Sequence, residues 1–486
     1  MGVQASTRHT HLPLPKELGV LLRETAQLQG AYLVGGCVRD WLLGLPIQDY
    51  DIEVFGVDYP QLLEALLRYG RAKLVGRSFG TVKLKLAHGV GLDFTLPPQD
   101  AYLFSIHGLD APSGAYPRLL EAAAKRRDYT INALMYDPRR HRLLDFVGGQ
   151  RDLKARLLRH TSEAFAEDPL RVLRGMQLAA RFDLSVASET VALCRDLKNA
   201  YSRLAAQRIW EEWQKWASKS SVPGKGLAFL AASEWLEHFP EIHALQGIPQ
   251  DPVWHPEGDV FRHTRYACDA MVQLAGWHRA DPRARAVYLL AILAHDFGKP
   301  ETTYETVKRG RTCIVSPGHD KAGEPLAISF LNRIHAPKSI QKRVVPLVRY
   351  HLAHLQTVTD RGVRRLARRL EPEGIQGLTL VMSADHLGRP PRPPDLPESI
   401  RLLEQKAAAL QVGVHAPRPV LMGRDVRALG MPPGPALGQV LKAAYDAQLE
   451  GAFCDLEQAY RWLEGQTHLP LSNTVREALA AQRAVG

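Results

Sequence analysis

The sequence predicts an α+β protein: a mixed head of sheet and helices over residues 1–150, then an all-helical remainder to residue 486. Three observations predict this. Residues 47–55, 80–86 and 91–96 alternate apolar and polar side chains with period two, as half-buried strands do. After Gly148-Gly149 that alternation fades. Beyond it, residues 161–216, 260–385 and 398–465 read as helical. They are separated by a Ser/Lys/Gly/Pro linker at 218–226 and a stiff proline-rich one, Arg389–Pro397.

Within the head, residues 18–30 read as a helix. Tyr32–Val34 is a short buried strand entering Gly35-Gly36, and Val38–Leu43 is helical again. In 80–86, Val82, Leu84 and Leu86 form the apolar face against Lys83 and Lys85. Thr161 or Ser162 suits the cap of the helical stretch that follows the head.

The formal charge of +11 and a pI of about 9.4 suit a polyanionic partner, because Lys and Arg neutralise phosphates. The five cysteines (37, 194, 268, 313, 454) form no Cys-x-x-Cys pair. This argues against a disulfide framework or a cysteine zinc site and fits a reducing, cytoplasmic setting. No apolar run reaches about 18 residues, so no membrane span is expected, and the start lacks a signal-peptide layout. Met1-Gly2 followed by Ser6 matches a myristoylation pattern in form alone.

The chemistry concentrates in a few blocks. Leu33-Val34-Gly35-Gly36-Cys37-Val38-Arg39-Asp40 places two glycines before a helix, where backbone can approach phosphates. Arg39, one turn in, offers a fork of donors. Asp49 and Asp51 lie two apart on a strand and so project from one face, where two carboxylates can share Mg²⁺ ions. Asp93 on a neighbouring strand is a candidate third acid, and Glu53 on the same face stays open. Arg126-Arg127-Asp128-Tyr129-Thr130-Ile131-Asn132-Ala133 combines phosphate-pairing arginines with Asp128 and Asn132, which suit sugar hydroxyls. A capped helix start explains Asp128 equally well. Asp168 and Arg171, three apart on a helix, set an acceptor beside a donor, as a base edge requires, and Arg174 continues that face. A surface pair between Glu167 and Arg171 is the plainer account.

In this order the blocks resemble a class II tRNA nucleotidyltransferase, the CCA-adding and CC-adding family of the polymerase-β superfamily, which includes bacterial poly(A) polymerases. The resemblance implies a polymerase-β-like head followed by all-helical neck, body and tail. It implies metal binding and catalysis by Asp49, Asp51 and Asp93. Nucleotide binding falls to Gly35, Gly36, Arg39, Arg126, Arg127, Asp128, Asn132, Asp168, Arg171 and Arg174, with Asp168 and Arg171 reading the base of CTP or ATP in place of a template. Gln207-Arg208-Ile209-Trp210-Glu211-Glu212 looks like a structural neck motif, with Gln207 where the family has Glu. Between Asp93 and Asp128 the family's full CCA-adders carry a charged loop that switches from C to A. Here it reads Leu96-Pro97-Pro98-Gln99-Asp100, and no Lys or Arg follows before Arg118. Addition of C and C alone, with A supplied by another enzyme, is therefore the alternative; a poly(A) polymerase is a further one.

His263, His295-Asp296 followed by Gly298-Lys299, and Asp385 form an H…HD…D spacing suited to a divalent transition metal. This region resembles an HD-superfamily phosphohydrolase domain. The resemblance implies a Ni, Mn, Co or Fe ion held by His263, His295, Asp296, His319, His351 and Asp385, with His354 also available to a second metal. Lys299 would contact phosphate, and the substrates would be 2′,3′-cyclic phosphates or phosphomonoesters at RNA ends. The expected domains are 1–150 (head), 151–250 (neck and body), 251–395 (HD) and 396–486 (tail). The last resembles a piece that holds the acceptor and T arms. The expected partners are tRNA, CTP and ATP, and the chain is a monomer or a homodimer.

Overall fold

The computed structural model describes residues 11–75, 81–85, 91–97 and 115–483. The Met1-Gly2-Ser6 pattern and most of the loop after Pro97 lie outside the described residues. The chain divides into two compact units. One comprises Met1–Arg208 with Phe229–Trp235, the other Ile209–Ala228 with Leu236–Gly486.

The first unit is built on a seven-stranded mixed sheet of order β3-β4-β5-β2-β1-β6-β7. Its strands are β1 (Gly30–Val34), β2 (Asp49–Phe55), β3 (Arg71–Val75), β4 (Thr81–Lys85), β5 (Gly91–Thr95), β6 (Met135–Asp137) and β7 (Arg142–Leu144). The β2–β5 pair is parallel and sets Asp51 opposite Asp93. The β4–β5 pair is antiparallel and sets Lys83 opposite Asp93. As the alternation in β4 requires, Val82 and Leu84 are buried while Lys83 and Lys85 face out. Tyr32, Val34, Phe55 and Met135 pack against Leu120, Ala123 and Ala124 of helix Ala115–Lys125, closing one face of the sheet.

Several expectations need correction. The helix expected over 18–30 ends at Glu24; a single 3-10 turn, Ala26–Leu28, follows, and Gly30 already opens β1. Strands β6 and β7 span three residues each, too short for a readable alternation, whereas β3 does alternate over Arg71-Ala72-Lys73-Leu74 and is missing from the expectation. A short parallel pair, β8 (Leu157–Leu158) with β9 (Ser185–Val186), interrupts the helical stretch after the head. Ser162 caps the 3-10 turn Glu163–Glu167 by accepting from Ala164 N, so its role as a cap holds.

The second unit is largely helical. The linker expected at 218–226 is absent: helix Ala206–Lys219 runs into helix Pro223–Ala232 across a three-residue turn. Proline tolerates the first helical turn because its missing N–H is unneeded there. Trp216 Nε1 donates to Pro223 O at 3.2 Å and pins the turn. A β hairpin, β10 (Tyr304–Lys308) with β11 (Arg311–Val315), sits inside the stretch expected to be helical. A further helix, Asn473–Arg483, extends the tail beyond residue 465. Arg389–Pro397 is non-helical, as its prolines demand. The tail has its own core of Leu421, Val426, Val440, Phe453, Leu463 and Val475 among others. Among the described residues, no helix is long and apolar enough to cross a membrane.

Candidate active sites

In the first unit the carboxylates meet at the β2–β5 pair. Asp49 lies opposite Gly91 and Asp51 opposite Asp93. A Cβ on Gly91 would stand 3.4 Å from Asp49 Oδ1. Gly35, at φ +72°, adopts a left-handed backbone, and a Cβ there would lie 3.4 Å from Asp51 Oδ2 and 3.3 Å from Arg127 Nη1. Burial raises the pKa of Asp51; Arg127 opposes this, while Asp93 and Asp49 add to it. Neighbouring acids, with Asp49 exposed and Asp51 and Asp93 half-buried, suit a divalent cation, which would relieve their repulsion. Lys83 Nζ, 2.7 Å from Asp93 Oδ2, supplies part of that relief. Strand alternation carries no sign of this pairing. Glu53, left open above, is taken by Arg127 Nη2 at 2.7 Å and does not join the acids. The helix after the glycines spans only Gly36–Leu42, so its dipole adds little.

The arginines of the nucleotide-binding blocks are held by protein groups. Arg39 is buried over the Phe182 ring and donates to Asp40 Oδ1 and, at 2.6 Å, to Asn132 Oδ1. Asp128 accepts from Tyr129 N, Asn132 Nδ2 and Arg174 Nη1. Burial would raise its pKa, but Arg174 and these bonds outweigh it and hold Asp128 below the usual carboxylate range. Tyr129 Oη donates to Arg171 O at 2.8 Å, and Gly175 makes room for it: a Cβ there would lie 2.1 Å from that oxygen.

Asp168 does not sit on a helix beside Arg171. It is extended, because Pro169 disfavours the helical conformation in the residue before it, and its carboxylate accepts from Leu170 N at the start of helix Leu170–Phe182. Arg208 grips it, with Nη2 to Oδ2 at 2.6 Å. Arg171 instead spans the carbonyls of Ala164 and Arg126, each at 2.7 Å. Glu167 faces Arg126, not Arg171. Arg208, placed in a structural motif by sequence, is thus in direct contact with a base-reading candidate; a separation of 40 positions left no local signal.

In the second unit five helices converge on a histidine–aspartate cluster. His263 comes from helix Val260–Met271, and His295-Asp296 follow helix Pro282–Ala294. His319 opens helix His319–Arg333, His351 follows helix Lys338–Tyr350, and Asp385 lies on helix Ile375–Leu387. His263 Nε2 lies 3.1 Å from Asp385 Oδ1, and His295 Nε2 lies 3.2 Å from Asp296 Oδ2. His319 Nε2 is 3.4 Å from Asp296 Oδ1 and 3.1 Å from His351 Nε2.

Each ring is oriented by its other nitrogen. Nδ1 of His295, His319 and His351 meets the carbonyls of Ile292, Ser316 and Val348, and Nδ1 of His263 meets Glu257 Oε1 at 2.8 Å. A carbonyl takes only a donor, so Nδ1 carries the proton and Nε2 presents its lone pair inward, as metal-binding imidazoles do. His263 Nε2 and His295 Nε2 are buried, face carboxylate oxygens and meet no hydrogen-bond donor. These orphaned atoms fit a metal ion. His263, His295 and Asp296 form one group of suitable ligand atoms, and Asp296, His319 and His351 a second. Lys299 Nζ lies 2.8 Å from Asp296 Oδ2 and Arg389 Nη2 2.5 Å from Asp385 Oδ1, so cations flank the acids. Gly298 is forced by packing: a Cβ would lie 2.2 Å from His319 O.

Glu257 was not legible in the sequence. Burial pushes its pKa up, but bonds from His255 and His263 overcome this and hold it at about 2. His354 falls outside both ligand groups and, with its Nδ1 on His351 O, lines the adjoining cavity. That cavity, of about 470 Å³, is walled by Asp296, Lys299, His319, His354, Asp385 and Trp254 among others.

The sequence profile of the poly A polymerase head domain matches residues 31–159. Over 329 residues the chain is 36% identical to a protein named "Multifunctional CCA protein" from Halorhodospira halophila, covering 66% of this chain and 73% of that one. It is 33% identical over 403 residues to the protein of the same name from Nitrosococcus oceani, covering 78% and 90%. In fold it is similar to the Bacillus stearothermophilus CCA-adding enzyme in complex with CTP. The TM-score is 0.60 at 20% identity, over 93% of this chain and 97% of that one. It is also similar to the Thermotoga maritima CCA-adding enzyme complexed with tRNA, with a TM-score of 0.56 at 18% identity and 97% of each chain covered.

Proposed function

The chain belongs to the family of multifunctional CCA proteins, CCA-adding tRNA nucleotidyltransferases of the polymerase-β type, and from that premise we propose which residues do its chemistry and what its second site does. It is an enzyme whose partners are tRNA, CTP and ATP.

The transferase reading is carried by the cluster of Asp49, Asp51 and Asp93 at the β2–β5 pair. Asp49 and Asp51 would hold Mg²⁺, with Asp93 as the third acid; the ion supplies electrostatic stabilisation of the leaving pyrophosphate. Gly35 and Gly36 let the triphosphate approach backbone, while Arg39, Arg126, Arg127 and Arg174 neutralise it. Asp128 and Asn132 hold the ribose. Asp168 and Arg171 read the base edge, with Arg208 fixing the Asp168 carboxylate. The loop after Pro97, poor in charge, governs whether A follows the two C residues.

Incubating the protein with tRNA ending at the discriminator base, tRNA-C or tRNA-CC, and CTP or ATP alone, tests this. Addition of two C residues and then one A is expected. Arrest after two C residues would assign the A to another enzyme, long A tails would mean a poly(A) polymerase, and no incorporation would refute the transferase site.

The second site is read as an HD-type phosphohydrolase acting on 2′,3′-cyclic phosphates and phosphomonoesters at RNA ends. The orphaned, buried Nε2 atoms of His263 and His295 carry this reading. His263, His295, Asp296 and Asp385, with His319 and His351, would hold Ni, Mn, Co or Fe, which supplies Lewis-acid chemistry at the phosphate. Lys299 then neutralises a phosphate oxygen, and the cavity walls exclude bulk water. Asp51→Asn should abolish nucleotide addition while phosphate release from a 2′-nucleotide continues; loss of both would contradict two separate sites. The division into head (1–150), neck and body (151–250), HD domain (251–395) and tail (396–486) is part of the same proposal, supported by a tail core drawn wholly from Leu421–Leu479.

A further inference from the structure

An exposed aromatic ring on the wall of a cavity offers a face on which a bound base can stack. Trp254 keeps 56% of its surface exposed and lies on the wall of the cavity that holds Asp296, Lys299, His319 and Asp385. Its backbone is fixed. Asp251, at the start of the same turn, accepts from Val253 N at 3.0 Å, and Arg311 Nη2 grips that carboxylate at 3.0 and 2.8 Å. The ring is fixed too. The Arg392 guanidinium lies 5.0 Å over the indole and donates to the Trp254 carbonyl at 3.3 Å. Arg392 also lines the cavity.

An exposed indole backed by a guanidinium is a flat, polarisable surface on which purines and pyrimidines stack. At about 470 Å³ the cavity is of the size that takes a small-molecule ligand. We propose that Trp254, supported by Arg392, is the nucleobase platform of the histidine–aspartate site. The cavity takes a nucleoside phosphate or the last nucleotide of an RNA, its base stacked on Trp254 and its phosphate directed to Lys299 and the metal ligands. The inference rests on the phosphohydrolase reading, whose substrates are already nucleotides, and adds the residues that would hold their base. A packing role is the competitor, in which Arg392 and Trp254 merely fasten the Arg389–Pro397 segment.

The test compares wild type, Trp254→Ala and Trp254→Phe on a nucleoside 2′,3′-cyclic monophosphate, an adenosine 2′-monophosphate and the base-free ester glycerol 2-phosphate. Binding of adenosine 2′-monophosphate is measured separately by calorimetry on the metal-loaded protein. Trp254→Ala should raise KM and Kd for the nucleotides about tenfold, the loss of one base–aromatic stack. Its kcat/KM on glycerol 2-phosphate should fall far less than on the nucleotides, and Trp254→Phe, which keeps an aromatic face, should recover most of the nucleotide affinity. Equal losses on nucleotide and base-free ester, or no loss on either, would overturn the platform. Failure of the wild type to hydrolyse any ester would refute the phosphohydrolase reading alone. The platform is then judged by calorimetry: nucleotide binding weakened by Trp254→Ala sustains it, and nucleotide binding indifferent to that change ends it.

Discussion

Arg174→Met tests the buried Asp128–Arg174 pair of the candidate nucleotide site through stability, independently of any catalytic role. Asp128 is 6% exposed and its two oxygens have different partners. Oδ1 accepts from Tyr129 N and Asn132 Nδ2, whereas Oδ2 accepts from Arg174 Nη1 at 3.1 Å. Methionine keeps the length and removes the charge, leaving Oδ2 buried and unpaired. Breaking a fully buried pair costs about 3–5 kcal/mol. Arg174 is 40% exposed, so solvent already screens the pair. Oδ1 also keeps its bonds. About 1–3 kcal/mol is therefore expected at pH 7, read from urea denaturation.

The pH dependence has a definite sign. In wild type the folded Asp128 pKa is depressed, so its stabilisation is complete above the unfolded value of about 3.9 and is lost as pH falls through the lower folded value. In the variant, burial acts without Arg174 and raises the folded pKa. Its penalty is present at neutral pH and is relieved as pH falls. The gap between the two proteins should thus narrow from pH 7 towards pH 3. A gap that stays constant over that range would show that Asp128 and Arg174 are not coupled.

Other expectations concern the second site. Glu257→Gln leaves His263 without its carboxylate partner, so metal affinity should fall about 10–100-fold by titration while the far-ultraviolet circular dichroism is unchanged; unchanged affinity would remove Glu257 from the site. Gly298→Ala drives a Cβ into the His319 carbonyl and towards Gly323 N at 2.7 Å, both backbone atoms that cannot turn aside, and should cost about 3 kcal/mol or more in denaturation; a neutral effect would mean the two segments separate readily. Dialysis against a chelator should abolish phosphate release from a 2′-nucleotide, and one of the metals named above should restore it; activity that survives chelation would contradict a metal site.

What the sequence disclosed depended on how local the signal was. Asp49 and Asp51 share a strand face, and His295 and Asp296 are adjacent, so spacing together with the neighbouring blocks and the family resemblance points to both candidate sites. Lys83, Arg208 and Glu257 act on residues 10, 40 and 6 positions away, across strands or turns, and nothing local marks them. The hairpin at 304–315 escaped notice because both its faces are largely exposed, which leaves no apolar alternation; its turn residues Arg309 and Gly310, both at positive φ, were the remaining clue. The expected linker at 218–226 failed for the converse reason. Its small polar residues read as a loop, yet Pro223 opens a helix and Trp216 packs back onto it.

The bare backbone of Gly298 has a wider meaning. Because it touches the first turn of the helix that begins with His319, the strip bearing Asp296 and Lys299 and the strip bearing His319 are welded carbonyl to α-carbon, with no side chain between them to flex. A ligand shell assembled this way is a finished mould rather than a hand that closes. The strips bearing Asp296, Lys299 and His319 hold their spacing through backbone contact, and that spacing should bear on which ions fit.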